Sequence, residues 1–170
     1  IVMVSFILAG LLSACNNPAQ PLSNGIEARE TCYTSGRFLF APNSEKIILR
    51  GVNKMNVVTD ITGEHSFPEI RKTGANVVRI MWMRWGGGGS ELDLIIGNSI
   101  RNNLIPMIEL HDATGKWGED LNACVDYWLQ DDVLEVINKY EAYLLLNIAN
   151  EAGGYVVPNE EFAEVYSDIV

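Results

Sequence analysis

From Lys72 to Trp82 the sequence reads KTGANVVRIMW. Pro68 to Gly74 has the make-up of a short helix stopped by glycine, and Asn76 to Trp82 follows at once as a strand rich in β-branched residues. A helix that runs straight into a strand apolar on both faces is part of a βα repeat, and the chain shows that repeat on either side. Upstream, Arg50-Gly51-Val52-Asn53 closes a first strand. A small hairpin leads into it, with Arg37 to Phe40 and Lys46 to Leu49 flanking the turn-rich Ala41-Pro42-Asn43-Ser44-Glu45. Downstream, Glu91 to Asn102 places Leu92, Ile95, Ile96, Ser99 and Ile100 at helical spacing. Leu104 to Leu110 is a third strand. Asp120 to Leu129 is a helix whose apolar face holds Leu121, Cys124, Val125, Trp128 and Leu129, and a further helical piece covers Val133 to Lys139. Ala142 to Ala149 makes a fourth strand, and a helix begins near Asn159 with Phe162, Val165, Tyr166 and Ile169 on one side.

Four strands spaced roughly 30 to 40 residues apart suit a (β/α)8 barrel or a doubly wound sheet, and spacing alone does not choose between them. The 170 residues are 48% hydrophobic and 20% charged, a globular composition of about one domain. A net charge of −10 has the wrong sign for neutralising phosphates, which argues against nucleic acid as a partner. His65 and His111 are the only imidazoles, and Cys15, Cys32 and Cys124 lie in no metal-ligand spacing, so no metal is expected. No phosphate-cradling motif follows a strand, so no cofactor is expected either; Gly86 to Gly89 reads as a flexible loop.

Polar residues gather where the strands end. Asn53 closes the first, Arg79 lies in the second, Glu109, His111 and Asp112 close the third, and Asn150-Glu151 follows the fourth. In a parallel α/β protein the carboxyl ends share one rim, where distant residues converge on a ligand. A glutamate at such a lip is expected to be partly desolvated, which raises its pKa and lets it hold a proton for a leaving group, and Glu151 is that candidate. Trp82, Trp85 and Trp117 fall at or just after strand ends, where sugar rings could stack on them. Each has a structural alternative: Trp82 and Trp128 as core, Arg79 as an ion-pair partner, His111 as a satisfied core histidine. Glu109 and His111, two apart on a strand, share a face, which makes Glu109 a second carboxyl to consider in the site.

Taken in order, Arg50-Gly51-Val52-Asn53, Lys72 to Ile80, Ile108-Glu109-Leu110-His111-Asp112-Ala113-Thr114-Gly115 and Asn147-Ile148-Ala149-Asn150-Glu151 resemble glycoside hydrolase family 5, most nearly its bacterial β-mannanase and endoglucanase branch. The resemblance covers about residues 36 to 155. It implies a (β/α)8 TIM barrel, here about the first four βα units, and retaining hydrolysis of a β-1,4-linked polysaccharide by two glutamates. Glu151 would be the general acid/base, Asn150 its neighbour on the sugar 2-hydroxyl, Arg79 the support of the nucleophile, and His111 a substrate contact. Ala152-Gly153-Gly154 departs from the aromatic or proline usual after the Asn-Glu pair. The family's nucleophile lies on the seventh barrel strand, beyond Val170, so the polypeptide as written is expected to be inactive and to expose an open sheet edge. A non-catalytic glycan-binding lipoprotein with a degenerate barrel is the alternative, and an unrelated doubly wound domain a third.

Residues 1–15 read as a lipoprotein signal: Ile1 to Leu12 is almost wholly apolar and too short to span a bilayer, and Leu12-Ser13-Ala14-Cys15 resembles a bacterial lipobox whose cysteine is lipidated. A polar tether over 16–35 then joins the anchor to the catalytic half-barrel of 36–170, and the expected location is the bacterial cell envelope or outside the cell. Cys32 and Cys124 are left either as a disulfide or as free thiols.

Overall fold

A computed structural model describes residues 30–169. The signal, Cys15 and most of the tether lie outside the described residues.

An antiparallel hairpin sheet comes first, built from β1 (Tyr33–Ser35), β2 (Phe38–Phe40) and β3 (Lys46–Ile47) in the order β1-β2-β3. A parallel sheet follows, in the order β4 (Gly51–Lys54), β5 (Val77–Trp82), β6 (Ile105–Leu110) and β7 (Leu145–Asn147). Between these strands run α1 (Asn56–Thr59) and α2 (Ser66–Lys72), then α3 (Gly89–Arg101), then α4 (Glu119–Trp128) and α5 (Asp131–Tyr140); α6 (Asn159–Ile169) comes after β7. The hairpin and all four expected parallel strands are present, joined by β1 and by the single turn of α1. Strand order equals chain order, each strand pairing with the next in parallel, which is the arrangement of consecutive units of a (β/α)8 barrel.

Register fixes which side chains look inward. Asn53, Arg79, Met107 and Leu145 are level across the sheet, and Met81, Glu109 and Asn147 stand one step nearer the carboxyl end. Because side chains alternate, Val78, Ile80, Trp82, Ile108 and Leu110 project to the other face, toward the helices, and every one is fully buried. They meet Leu92, Ile95 and Ile96 of α3, Leu121 and Cys124 of α4, and Val133 of α5 in one core. Full burial of an aliphatic side chain of this size stabilises by about 1.5–3 kcal/mol, and this layer clamps the sheet to its helices.

Local signals set the ends. Gly74, at φ 86, stops the chain after α2, its N–H bonded to Arg71 O at 3.0 Å. The glycine run corrects the expectation of a flexible loop. Arg84–Gly86 forms a 3-10 turn, Gly86 and Gly89 are buried, and Gly89 opens α3 with its N–H on Asp132 Oδ2 at 2.7 Å. A Cβ on Gly89 would stand 2.3 Å from Asp132 O, so the glycine lets α3 and α5 touch at the backbone. The hairpin sits by the amino end of β7, where Cys32 Sγ donates to Ala142 O at 3.3 Å. Cys32 and the buried Cys124 are separate free thiols, both pushed up in pKa by burial.

Candidate active site

The carboxyl ends of β5, β6 and β7 bring together residues from three distant segments. Arg79 Nη2 donates to Asn150 Oδ1 at 2.6 Å, a contact between residues 71 positions apart. Asn150 in turn donates from Nδ2 to Thr114 Oγ1 at 3.0 Å, and that hydroxyl donates to His111 O, also at 3.0 Å. One further step inward, Glu109 Oε1 lies in hydrogen-bond contact with His111 Nδ1 at 3.0 Å and 3.5 Å from Arg79 Nη1. Glu109 and His111 therefore do share a face, and Arg79 is both an ion-pair partner and a member of the cluster.

Backbone contacts hold the two loops that carry these groups. The loop after β6 follows Trp82, with His111 N donating to Trp82 O at 2.9 Å, and the loop after β7 follows β6, with Asn150 N donating to Leu110 O at 2.8 Å. The loops then meet each other. Thr114 and Ala152 form an isolated antiparallel bridge, and Gly115 N donates to Glu151 O at 3.0 Å. Glu151 adopts a left-handed backbone at φ 43, uncommon for a residue with a Cβ. Such a conformation persists only where the surroundings over-determine it, as these two hydrogen-bonded loops do. Its side chain borders an open cleft of about 230 Å³ together with Ala152, Gly154 and Tyr155.

The electrostatic division differs from expectation. Glu151 is exposed rather than desolvated. The desolvated carboxyl is Glu109, which is 0% exposed; burial raises its pKa above the ordinary value, against the lowering effect of the His111 hydrogen bond and the Arg79 charge. Burial also removes Glu109 as an attacking carboxylate, since no substrate carbon can reach it.

The tryptophans part ways. Trp82 is corrected from sugar platform to core: it is 0% exposed, and its indole N–H donates to Tyr127 Oη at 3.0 Å. Strand alternation carried that signal, because a residue three positions after inward-facing Arg79 must face the helices. Trp85 stands 62% exposed in the turn after β5. Trp117 is half-buried, its N–H on Glu161 Oε1 at 2.9 Å and its ring stacked against Phe162 and Tyr166 of α6, so it is not the open platform expected. Trp128 is core, donating to Ile148 O at 2.8 Å. Asn53 is exposed, level with Arg79 on the neighbouring strand. Asp112 faces away from the cluster and binds Arg84, accepting from its backbone N–H at 3.0 Å and from Nε at 3.3 Å.

No protein-family model matches the sequence. The chain is 30% identical over 144 residues to a mannan endo-1,4-β-mannosidase of Salipaludibacillus agaradhaerens, covering 81% of this chain and 46% of that protein. The chain is a homologue of mannan endo-1,4-β-mannosidases. A second such enzyme, from Streptomyces lividans, is 32% identical over 164 residues, or 89% of this chain and 40% of its own length. Among solved structures, a β-mannanase from Streptomyces thermolilacinus superposes with a TM-score of 0.69 at 28% identity, covering 81% of this chain and 48% of that one. A mannohexaose complex of the Thermomonospora fusca β-mannanase gives 0.67 at 26% identity, covering 83% and 48%. The homologue described here thus spans under half the length of the curated relatives it matches. The barrel-type fold expected from the sequence holds.

Proposed function

We propose that this chain is the N-terminal half of a retaining endo-β-1,4-mannanase of glycoside hydrolase family 5, exported and anchored through lipid on Cys15. The observation that carries the reading is the Arg79–Asn150 hydrogen bond, which sets the Asn-Glu pair of one strand end against the arginine and histidine of two others. The homology to enzymes named for mannan favours mannan over glucan as substrate. The apolar run before Leu12-Ser13-Ala14-Cys15 supports the anchor.

In this reading Glu151 protonates the glycosidic oxygen as the bond to the anomeric carbon breaks. A second carboxylate, from sequence beyond residue 170 and standing about 5 to 5.5 Å from the Glu151 carboxyl, attacks that carbon and forms a glycosyl-enzyme. Glu151, now ionised, then takes a proton from water as water displaces the enzyme carboxylate, and the starting state returns. Asn150 has one amide hydrogen committed to Thr114, which leaves the second for a sugar hydroxyl. Exposed Trp85, in the turn after β5, offers a ring face to a sugar. By itself the 170-residue chain supplies the acid/base and not the nucleophile, so it does not hydrolyse glycan.

The test is release of reducing ends from β-mannan and from carboxymethylcellulose by the intact gene product, assayed in membrane and soluble fractions. Activity on mannan in the membrane fraction is expected. Glu151→Gln should lower it about 10²- to 10⁴-fold, and Cys15→Ser should release it from membranes. Glycan binding without hydrolysis by the intact protein would favour the binding-protein alternative, and hydrolysis by residues 16–170 that Glu151→Gln abolishes would overturn the division of carboxyls.

A further inference from the structure

Among the described residues Glu109 is the only charged side chain that is fully buried, and its position is unusual in a second respect. Oε1 receives both His111 Nδ1 and Arg79, while Oε2 is buried with no hydrogen-bond partner. A carboxylate with an orphaned oxygen costs folding free energy that a neutral residue of similar volume would not. The groups facing it are Arg79 from β5, and His111 and Asp112 from its own strand end; its register neighbours Met81 and Asn147 bring no charge. Asp112 is turned to Arg84, so the polar partners in contact with Glu109 are Arg79 and His111.

We propose that Glu109 is a positioning residue: it holds His111 with the proton on Nδ1, so that Nε2 is presented as an acceptor, and it holds Arg79 so that the other guanidinium arm fixes the side-chain amide of Asn150. With the Arg79 charge 3.5 Å away favouring its ionised form, the carboxylate only accepts hydrogen bonds, so a nitrogen 3.0 Å from it carries the hydrogen. The imidazole, partly exposed, is then left with its lone pair on Nε2, suited to accept from a sugar hydroxyl. The same carboxylate fixes the guanidinium at Nη1, and Nη2 reaches Asn150 Oδ1. One buried group thereby orients two side chains from different strands. The catalytic consequence rests on the mannanase reading; the hydrogen-bond assignment does not.

Long-range proton–nitrogen spectra of the ¹⁵N-labelled 170-residue chain decide it. The sequence has two histidines, so His65→Gln leaves His111 as the one imidazole observed. The Nδ1–H tautomer is expected to dominate, and Glu109→Gln should shift the tautomer ratio toward Nε2–H by about tenfold, the effect of losing a charge-assisted hydrogen bond. His111 found in the Nε2–H form overturns the proposal without needing any variant, so a Glu109→Gln chain that fails to fold does not protect it. In the intact enzyme, Glu109→Gln should lower kcat at least tenfold with KM little changed; a shifted tautomer with kcat unaltered overturns the catalytic part. An intact protein without mannanase activity would sink the functional reading while leaving the tautomer result to judge this one.

Discussion

Glu109 and Glu151 carry the same functional group in opposite surroundings, and their difference has a thermodynamic signature. Burial raises the pKa of Glu109 above 4.5, so the folded state binds its proton more tightly than the unfolded state does. The stability contributed by this group is therefore fully present below pH 4.5 and is lost as pH rises through the raised value. Asp93 runs the other way: its hydrogen bond to Lys139 lowers its pKa, and the stability it contributes is present above 3.8 and lost on acidification. Thermal melts of Glu109→Gln and the parent chain, compared from pH 4 to 7, subtract groups such as Asp93 and leave Glu109. The Tm difference is expected to move in favour of the variant as pH rises. A difference independent of pH, or one moving in favour of the parent, would contradict the burial of this carboxyl.

At the level of elements, the βα repeat was legible because its signals are local. β-branched runs with glycine stops marked β5 and α2, and three-to-four spacing marked α3, whose Leu92, Ile95, Ile96 and Ser99 are buried as that spacing requires. Short or tertiary elements were not. β1 is three residues long, too short for alternation to register, and β7 covers only Leu145–Asn147 of the eight-residue apolar run read as a strand. Ala142 to Leu144 of that run lead in from α5, and Ile148 and Ala149 lead out toward Asn150. The glycines at 86–89 read as a mobile loop because nothing in the run itself distinguishes a mobile glycine from one forced by contact; for Gly88 and Gly89 the cause is Asp132, more than forty residues away, and for Gly86 it is the side chains of Val57 and Trp82. At the candidate site, the convergence of Arg79, His111 and Asn150 on one sheet end was legible from their places at strand ends, and the environments were not: burial went to Glu109 and exposure to Glu151. Two glycines separate contact from conformation. Gly89→Ala must push α3 off α5 and should cost about 1–3 kcal/mol. Gly115→Ala meets no atom within 4 Å but holds φ 70, and should cost about 1–2 kcal/mol through backbone strain alone. Denaturant unfolding measures both. Shortening Asp132 to Ala does not remove its backbone oxygen, so it should leave most of the Gly89→Ala cost in place, whereas relief by that change would assign the clash to the side chain.

On the scale of the whole molecule, the parallel sheet has two outer strands, β4 and β7, and among the described residues each is hydrogen-bonded to one neighbour only. Each edge carries an exposed apolar side chain among polar ones: Val52 is 44% exposed on β4, and Leu146 39% exposed on β7. Leu146 is level with Ile108, which is fully buried, so the same face that is sealed by helices in the middle of the sheet is open at its margin. Unpaired strand edges beside exposed apolar surface are templates for another strand. The 170-residue chain should therefore self-associate at micromolar concentration, seen as mass above 18.8 kDa in light scattering after size exclusion. Leu146→Lys, alone or with Val52→Lys, places a solvated charge on the edge and should shift the population toward monomer, since a charge cannot be covered by a pairing strand without losing its water. Because neither residue touches the Arg79–Asn150 contact, the imidazole spectrum of His111 should be the same in the charged-edge variants. Association that survives both lysines would place the contact elsewhere, and a parent chain that is monomeric throughout would mean that these edges are already covered.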